Sequence, residues 1–189
     1  MKQVTYVTGN KYKFEVAEKI LNTFDIKAIQ KNIETPEIQS ADVEEIAKYS
    51  AEYAARKLNK PVVVTDAGWY IKALNGFPGP FIKYINQWLT SEDILKLMEG
   101  KENRNIEVNM CLAYCKPNEK PTTFNCVTLG TLAQEAVESE KEDNTPINKL
   151  FIPKGYDTVS SEIPREEMVK FWSKTETMWY DLADYLKNN

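Results

Sequence analysis

Thr8, Gly9, Asn10 and Lys13 stand where a short β-branched and aromatic stretch, Val4 to Val7, gives way to a helical pattern. A helix start presents unpaired backbone N–H groups and a partial positive charge, so it attracts anions. Gly9 lets the backbone approach an oxyanion closely, and Lys13, in the first helical turn, adds a full charge. The chemistry is phosphate binding. An ordinary strand-turn-helix with solvent-facing lysines is the other reading, because a lone Thr-Gly-Asn turn is a weak motif. Glu37 lies in the loop Thr35-Pro36-Glu37-Ile38-Gln39-Ser40, and Asp66 follows the apolar run Pro61-Val62-Val63-Val64-Thr65. In open α/β sheets ligands bind beyond the carboxyl ends of strands, so Asp66 is expected where chemistry occurs. A solvated loop position for Glu37 and a turn cap for Asp66 are the plainer alternatives.

The chain has 189 residues, no histidine and three cysteines. Without histidine, Ser-His-Asp and Cys-His nucleophilic machinery is excluded. A general base near neutral pH must be a carboxylate, lysine, tyrosine or metal-bound water. A divalent ion would take oxygen ligands, which favours Mg²⁺ or Mn²⁺. Cys111, Cys115 and Cys126 are odd in number and lack zinc spacing, so reduced thiols and a cytoplasmic location are expected. The net charge of −4 and the lack of a basic run argue against a nucleic-acid partner. No apolar run approaches the roughly 20 residues of a membrane span, and Thr8 to Lys13 interrupts any signal-peptide core.

The elements that position these residues follow from periodicity. Strands are expected over 2–7 and 27–33, and helices over 11–23 and 42–58, the second capped by Ser40 or Asp42. The run 61–65 reads as a buried central strand ending before Asp66-Ala67-Gly68. After the loop Asn75-Gly76-Phe77-Pro78-Gly79-Pro80 come helices over 81–88 and 91–99. Two long strands, 105–116 and 121–135, are joined by a turn at 116–120. An acidic loop spans Glu135 to Asp143, and Leu150-Phe151-Ile152-Pro153 is extended. One last helix starts near Pro164 and runs to about Leu186, with Met168, Phe171, Trp172, Met178, Trp179, Leu182 and Leu186 inward. The pattern predicts a single α/β domain over 1–189 with a mixed central sheet.

The turn Thr8-Gly9-Asn10-x-x-Lys13, the Pro36-Glu37 loop, Asp66-Ala67-Gly68 and Gly76-Phe77-Pro78-Gly79-Pro80-Phe81-Ile82-Lys83 occur in an order that resembles the inosine triphosphate pyrophosphatase (Ham1-like) family. The similarity covers about 4–89 and returns at Phe151 to Asp157. The resemblance implies an elongated α/β fold of ITPase-like (anticodon-binding/Maf-like) architecture, usually a homodimer. It implies Mg²⁺-dependent cleavage of non-canonical purine nucleoside triphosphates to the monophosphate and pyrophosphate. Thr8, Gly9, Asn10 and Lys13 match its phosphate turn, Glu37 a metal-site carboxylate, and Asp66 the acid that helps hold metal and activates water. Lys83 matches a nucleotide-contacting lysine, and is otherwise a surface residue of an amphipathic helix. Phe81, Ile85 and Trp88 suit a dimer face or a core.

The chain also departs from the family. Thr65 replaces a usual acid, and Ser50 a usual lysine, with Lys48 nearby. The aromatic-Asp-Pro segment that stacks on the purine reads Asn144-Thr145-Pro146-Ile147-Asn148-Lys149-Leu150. The Ser-His-Arg triplet that reads the 6-keto group becomes Trp172-Ser173-Lys174, and a base-contacting lysine becomes Met168. The phosphate end is kept while the base end is rewritten. One expectation is a pyrophosphatase of altered base specificity, with Trp172 or Tyr156 stacking and Lys174 or Asn148 bonding. The alternative is a catalytically silent nucleotide-binding or regulatory dimer. Trp172 also suits the helix core.

Overall fold

The computed structural model describes residues 2–137 and 145–188. Residues 138–143 of the acidic loop, and Asn144, lie outside them. Among the described residues, the strands are β1 (Lys2–Val7), β2 (Ile26–Lys31), β3 (Val62–Ile71), β4 (Pro78–Gly79), β5 (Asn105–Cys115), β6 (Thr122–Leu132) and β7 (Phe151–Pro153). The helices are α1 (Lys11–Asn22), α2 (Val43–Leu58), α3 (Ile82–Trp88), α4 (Ser91–Leu97), α5 (Arg165–Thr175) and α6 (Met178–Asn188). The sheet order is β2-β1-β3-β5-β6-β7, with β4 paired to β3. β1 runs parallel to both β2 and β3, whereas β4 and β7 are antiparallel to their partners. The fold is a mixed α/β sheet flanked by helices, as the alternation of periods predicts.

The chain divides into two compact units. The first holds residues 1–67, 110–126 and 169–189; the second holds 68–109 and 127–168. The division falls within β3, β5 and β6, after Ala67, Asn109 and Cys126. In the first unit, Val4, Tyr6, Val62 and Val63 on the inner strands are buried, as are Val16, Ala17, Ile20 and Leu21 of α1 and Ala47, Ala51, Ala54 and Ala55 of α2. The alanine stripe removes side-chain bulk from the inward face of α2, and Asp42 caps its start by accepting from Glu44 N. In the second unit, Phe151 and Leu150 are fully buried, and Phe151 meets Trp69 edge-to-face at 4.9 Å. Gly130 makes that approach feasible, since a Cβ there would lie 2.2 Å from the Phe151 ring.

Two expected boundaries change. The strand expected to stop before Asp66 continues to Ile71, so Asp66 sits mid-strand. Trp69 and Tyr70 extend it by pairing with Gly79 and Pro78. Gly68 is no breaker here; the Tyr70 ring folds over it, and a Cβ at 68 would lie 2.7 Å from that ring. The single last helix is two, α5 and α6, broken at Glu176 and Thr177. Thr175 Oγ1 donates back to Phe171 O at 3.2 Å, and the hydrogen bonds from Tyr180 N and Asp181 N to Thr177 O begin a new helix. Hydroxyl side chains that compete for backbone groups in this way interrupt helices. No helix among the described residues is long and apolar enough to cross a membrane.

Candidate active site

The turn expected to bind phosphate is built by Asn10. Its side-chain Oδ1 accepts from Tyr12 N at 2.8 Å and Lys13 N at 3.1 Å, which caps α1. Thr8 Oγ1 accepts from Asn10 N at 3.1 Å, and β2 braces the turn through Thr8 N to Lys31 O (2.9 Å) and Gln30 Nε2 to Thr8 O (3.1 Å). Asn10 therefore occupies two of the N–H groups expected to face an anion. More of the attraction falls on the helix dipole and on Lys13, which is half-buried. Gly9 is exposed, and a Cβ there would stand 3.0 Å from Asn32 Oδ1, so glycine keeps the turn tight against that side chain. Asn10→Ala is expected to destabilise the protein by about 1 kcal/mol through loss of the cap, seen as a lower denaturant midpoint in urea melts.

Asp66 is half-buried on β3, and its neighbour Thr65 bonds Tyr6 OH at 2.5 Å. The buried Cys111 thiol of β5 reports the surrounding charges. Burial pushes it up to about 12; Glu44 raises it further, Lys48 opposes, and Asp66 and Asp42 add to the rise. Asp66 thus shares the surroundings of Cys111 with the N-terminal part of α2. Glu44 accepts from Lys48 Nζ, Asn125 Nδ2 (2.8 Å) and Thr123 Oγ1 (3.1 Å), and Lys48 first, then Asn125, holds it below the usual carboxylate range. Ser50, where a family lysine was expected, is buried, while Lys48 is half-buried. Glu37 is exposed on the extended segment before α2.

Trp172 and Lys174 belong to the same unit as the turn at residues 8–10. Trp172 is half-buried against Phe171, with ring centroids 5.2 Å apart, so it is not a fully buried core residue. Lys174 is exposed. Between them, Ser173 is buried and donates to Val169 O at 2.6 Å, and Met168 is buried too. Of the rewritten triplet, only Trp172 and Lys174 present surface. Lys83 and Tyr156 lie in the second unit. Lys83 is exposed near the start of α3, with Nζ 5.8 Å from the Tyr84 ring centroid; Tyr156 is half-buried after β7. Ahead of α3, the Phe77–Pro78 peptide is cis, and Gly76 and Gly79 have φ of 91° and 59°, values that favour glycine.

Glu176 and Tyr6 escaped the sequence reading. Glu176 is 9% exposed, and its carboxyl is raised to about 7 by burial, partly relieved by Trp179 Nε1 at 2.9 Å and by the Lys13 charge. Its spacing, four after Trp172 and three before Trp179, places it on the apolar stripe, and that was the available signal. A folded acid with a raised value binds more protons than its unfolded form. The associated stability is complete below the ordinary value of 4.5 and is lost as pH rises through about 7. Stability is expected to fall by about 3 kcal/mol across that window, and Glu176→Gln to remove the slope, in guanidinium melts at pH 5 and pH 8.

The sequence profile of the Ham1 family matches residues 4–176. The chain belongs to the Ham1 family. Among its Ham1 relatives, the dITP/XTP pyrophosphatase of Methanopyrus kandleri is 40% identical over 187 residues, 99% of this chain and 97% of that one. The dITP/XTP pyrophosphatase of Methanosarcina acetivorans is 43% identical over 135 residues, 71% of this chain and 73% of that one. Among solved structures, a HAM1 protein from Coxiella burnetii superposes with a TM-score of 0.78 at 20% identity, covering 100% of both chains. The Staphylococcus aureus Ham1 protein gives 0.76 at 20%, covering 99% of each. At that identity these two show that the chain has the Ham1 fold.

Proposed function

We propose that this chain hydrolyses nucleoside triphosphates to the monophosphate and pyrophosphate, with base recognition altered from that of its inosine- and xanthosine-type relatives. The observation that carries the reading is the capped turn with the Lys13 ammonium at the start of α1, in a chain 40% identical to a dITP/XTP pyrophosphatase. Thr8, Gly9, Asn10 and Lys13 hold the phosphates, whose charge must be balanced before water attacks phosphorus. Asp66 orients the attacking water and accepts its proton.

Asp66 and Glu37 would hold Mg²⁺, with Mn²⁺ as a substitute. The donors are oxygens, which suits a hard cation. Among the described residues no group of three or more Cys, Asp and Glu side chains forms a metal cage. Mg²⁺ is commonly bound by one or two carboxylates plus substrate phosphates. When bound, the ion neutralises phosphate charge and polarises the scissile bond. For the base, the half-buried Trp172 offers a stacking face and the exposed Lys174 a polar contact, both in the unit that holds the turn at 8–13. The exposed Phe81, Tyr84 and Trp88 on and beside α3 support a homodimer.

The test is pyrophosphate release with Mg²⁺ from a panel of canonical, deaminated and modified ribo- and deoxyribonucleoside triphosphates, dITP and XTP included. Turnover is expected, with a preference that differs from that of the Methanopyrus kandleri enzyme assayed alongside. No release from any substrate would refute the proposal.

A further inference from the structure

Tyr6 and Thr65 form a hydroxyl pair between β1 and β3, at the end of β1 where the Thr8-Gly9-Asn10 turn begins. The ladder joining these two strands pairs Thr5 with Val62 and Tyr6 with Val63, whereas the ladder joining β1 to β2 runs the length of β1, from Lys2 to Val7. Thr65 lies two residues beyond Val63, on the same face of β3, a step of roughly 7 Å along the strand. The Tyr6 ring covers that step, and its OH meets Thr65 Oγ1 at 2.5 Å. Tyr6 is 1% exposed, and the fully buried Trp179 holds its ring edge-to-face at 5.0 Å. A buried hydroxyl needs a hydrogen-bond partner, and a ring fixed in this way presents its hydroxyl from one place. The neighbours of the pair in the chain are Thr8, two residues after Tyr6, and Asp66, directly after Thr65. On its other side the turn is anchored to β2, through Thr8 N to Lys31 O and Gln30 Nε2 to Thr8 O.

Resting on the reading that this turn holds a triphosphate and that Asp66 activates the attacking water, we infer that Tyr6 and Thr65 are positioning residues whose hydroxyl pair sets the separation between the turn and Asp66. The pair acts through its neighbours, not on the substrate. Attack on phosphorus needs the water and the phosphate held in one geometry, and a displacement of about 1 Å costs roughly 10²-fold in rate. Without the bond, β3 at Thr65 is released from β1 just past the end of their ladder. A hydroxyl left without its partner also costs free energy unless the strand shifts or water enters. The turn keeps its β2 anchors and the Asn10 cap, so phosphate binding persists while the chemical step slows. The loss therefore falls on kcat and spares KM.

A double-mutant cycle tests this. The kcat and KM of wild type, Tyr6→Phe, Thr65→Val and the double variant are measured on the panel triphosphate that wild type hydrolyses fastest, at a temperature where each is folded by circular dichroism. Each single variant is expected to lose roughly tenfold to a hundredfold in kcat, with KM little changed. The double variant should lose no more than either single, because all three lack the same bond. Thr65→Ser, which keeps the hydroxyl, should recover most of the kcat that Thr65→Val loses. Calorimetry with inorganic tripolyphosphate should give all variants the wild-type affinity. Three outcomes overturn the inference: single variants that melt lower but keep kcat, losses that multiply in the double variant, or a loss of tripolyphosphate affinity with kcat kept. If Tyr6→Phe does not fold, Thr65→Val against Thr65→Ser decides: equal kcat overturns the inference. Turnover by wild type with any of these outcomes leaves the pyrophosphatase reading standing; no turnover by wild type removes both readings.

Discussion

Asp66→Asn is expected to lower pyrophosphate release by about 10²–10⁴-fold, the usual contribution of a positioned general base. The amide keeps the size and shape of the side chain but carries no negative charge and accepts no proton from water at neutral pH. Asp66 is half-buried in the middle of β3, whose strand partners hold the backbone whatever that side chain is. The variant should therefore fold, and its circular dichroism and melting temperature check this. The loss should appear in kcat more than in KM if the carboxylate acts mainly on water in the transition state. Tripolyphosphate binding through the Thr8-Gly9-Asn10 turn should survive, because Lys13 and the α1 dipole are untouched. Unchanged turnover in Asp66→Asn would move the general base elsewhere, with Glu37 the next carboxylate to test.

Trp179→Ala is expected to destabilise the protein by about 3–5 kcal/mol, the range for deleting a fully buried large aromatic. Three losses combine. A cavity opens in the first unit, where Trp179 is 0% exposed. Tyr6 loses its edge-to-face partner. Glu176 loses the indole donor at 2.9 Å and keeps a buried carboxyl with less support. The last effect is directional: without that donor the acid is held still further above the carboxylate range, so the variant should lose most stability at alkaline pH. Urea melts of Trp179→Ala and Trp179→Phe at pH 6 and pH 8 read both parts. The phenylalanine variant retains much of the ring volume and isolates the missing hydrogen bond. Equal losses for both variants at both pH values would show that Glu176 gains nothing from Trp179.

The strand-turn-helix at residues 4–13 was legible in the sequence because its parts are adjacent: a β-branched strand, a Gly-Asn turn and a lysine one helical turn later form a local unit. The family was legible for a similar reason, since the turn and the Gly76–Pro80 loop are contiguous words in a set order. Length and apolar period were enough for α2, with its alanine stripe and Asp42 cap, and for the β5–β6 pair. Asp66-Ala67-Gly68 was misread as a strand end because glycine signals a break locally, whereas here it makes room for the Tyr70 ring. The break between α5 and α6 was missed because the apolar period continues through it; at the break Thr175 Oγ1 bonds back to Phe171 O and Thr177 O starts the next helix, with no change of pattern. Glu176 is the clearest case of what only tertiary structure decides. Its hydrogen-bond donor Trp179 packs on Tyr6, more than 160 positions away in the chain, and whether an acid on an apolar stripe is buried or solvated depends on what packs over it. Local chemistry therefore determined the turn and the family, while the long-range packing of β1 and α6 decided that Glu176 is buried.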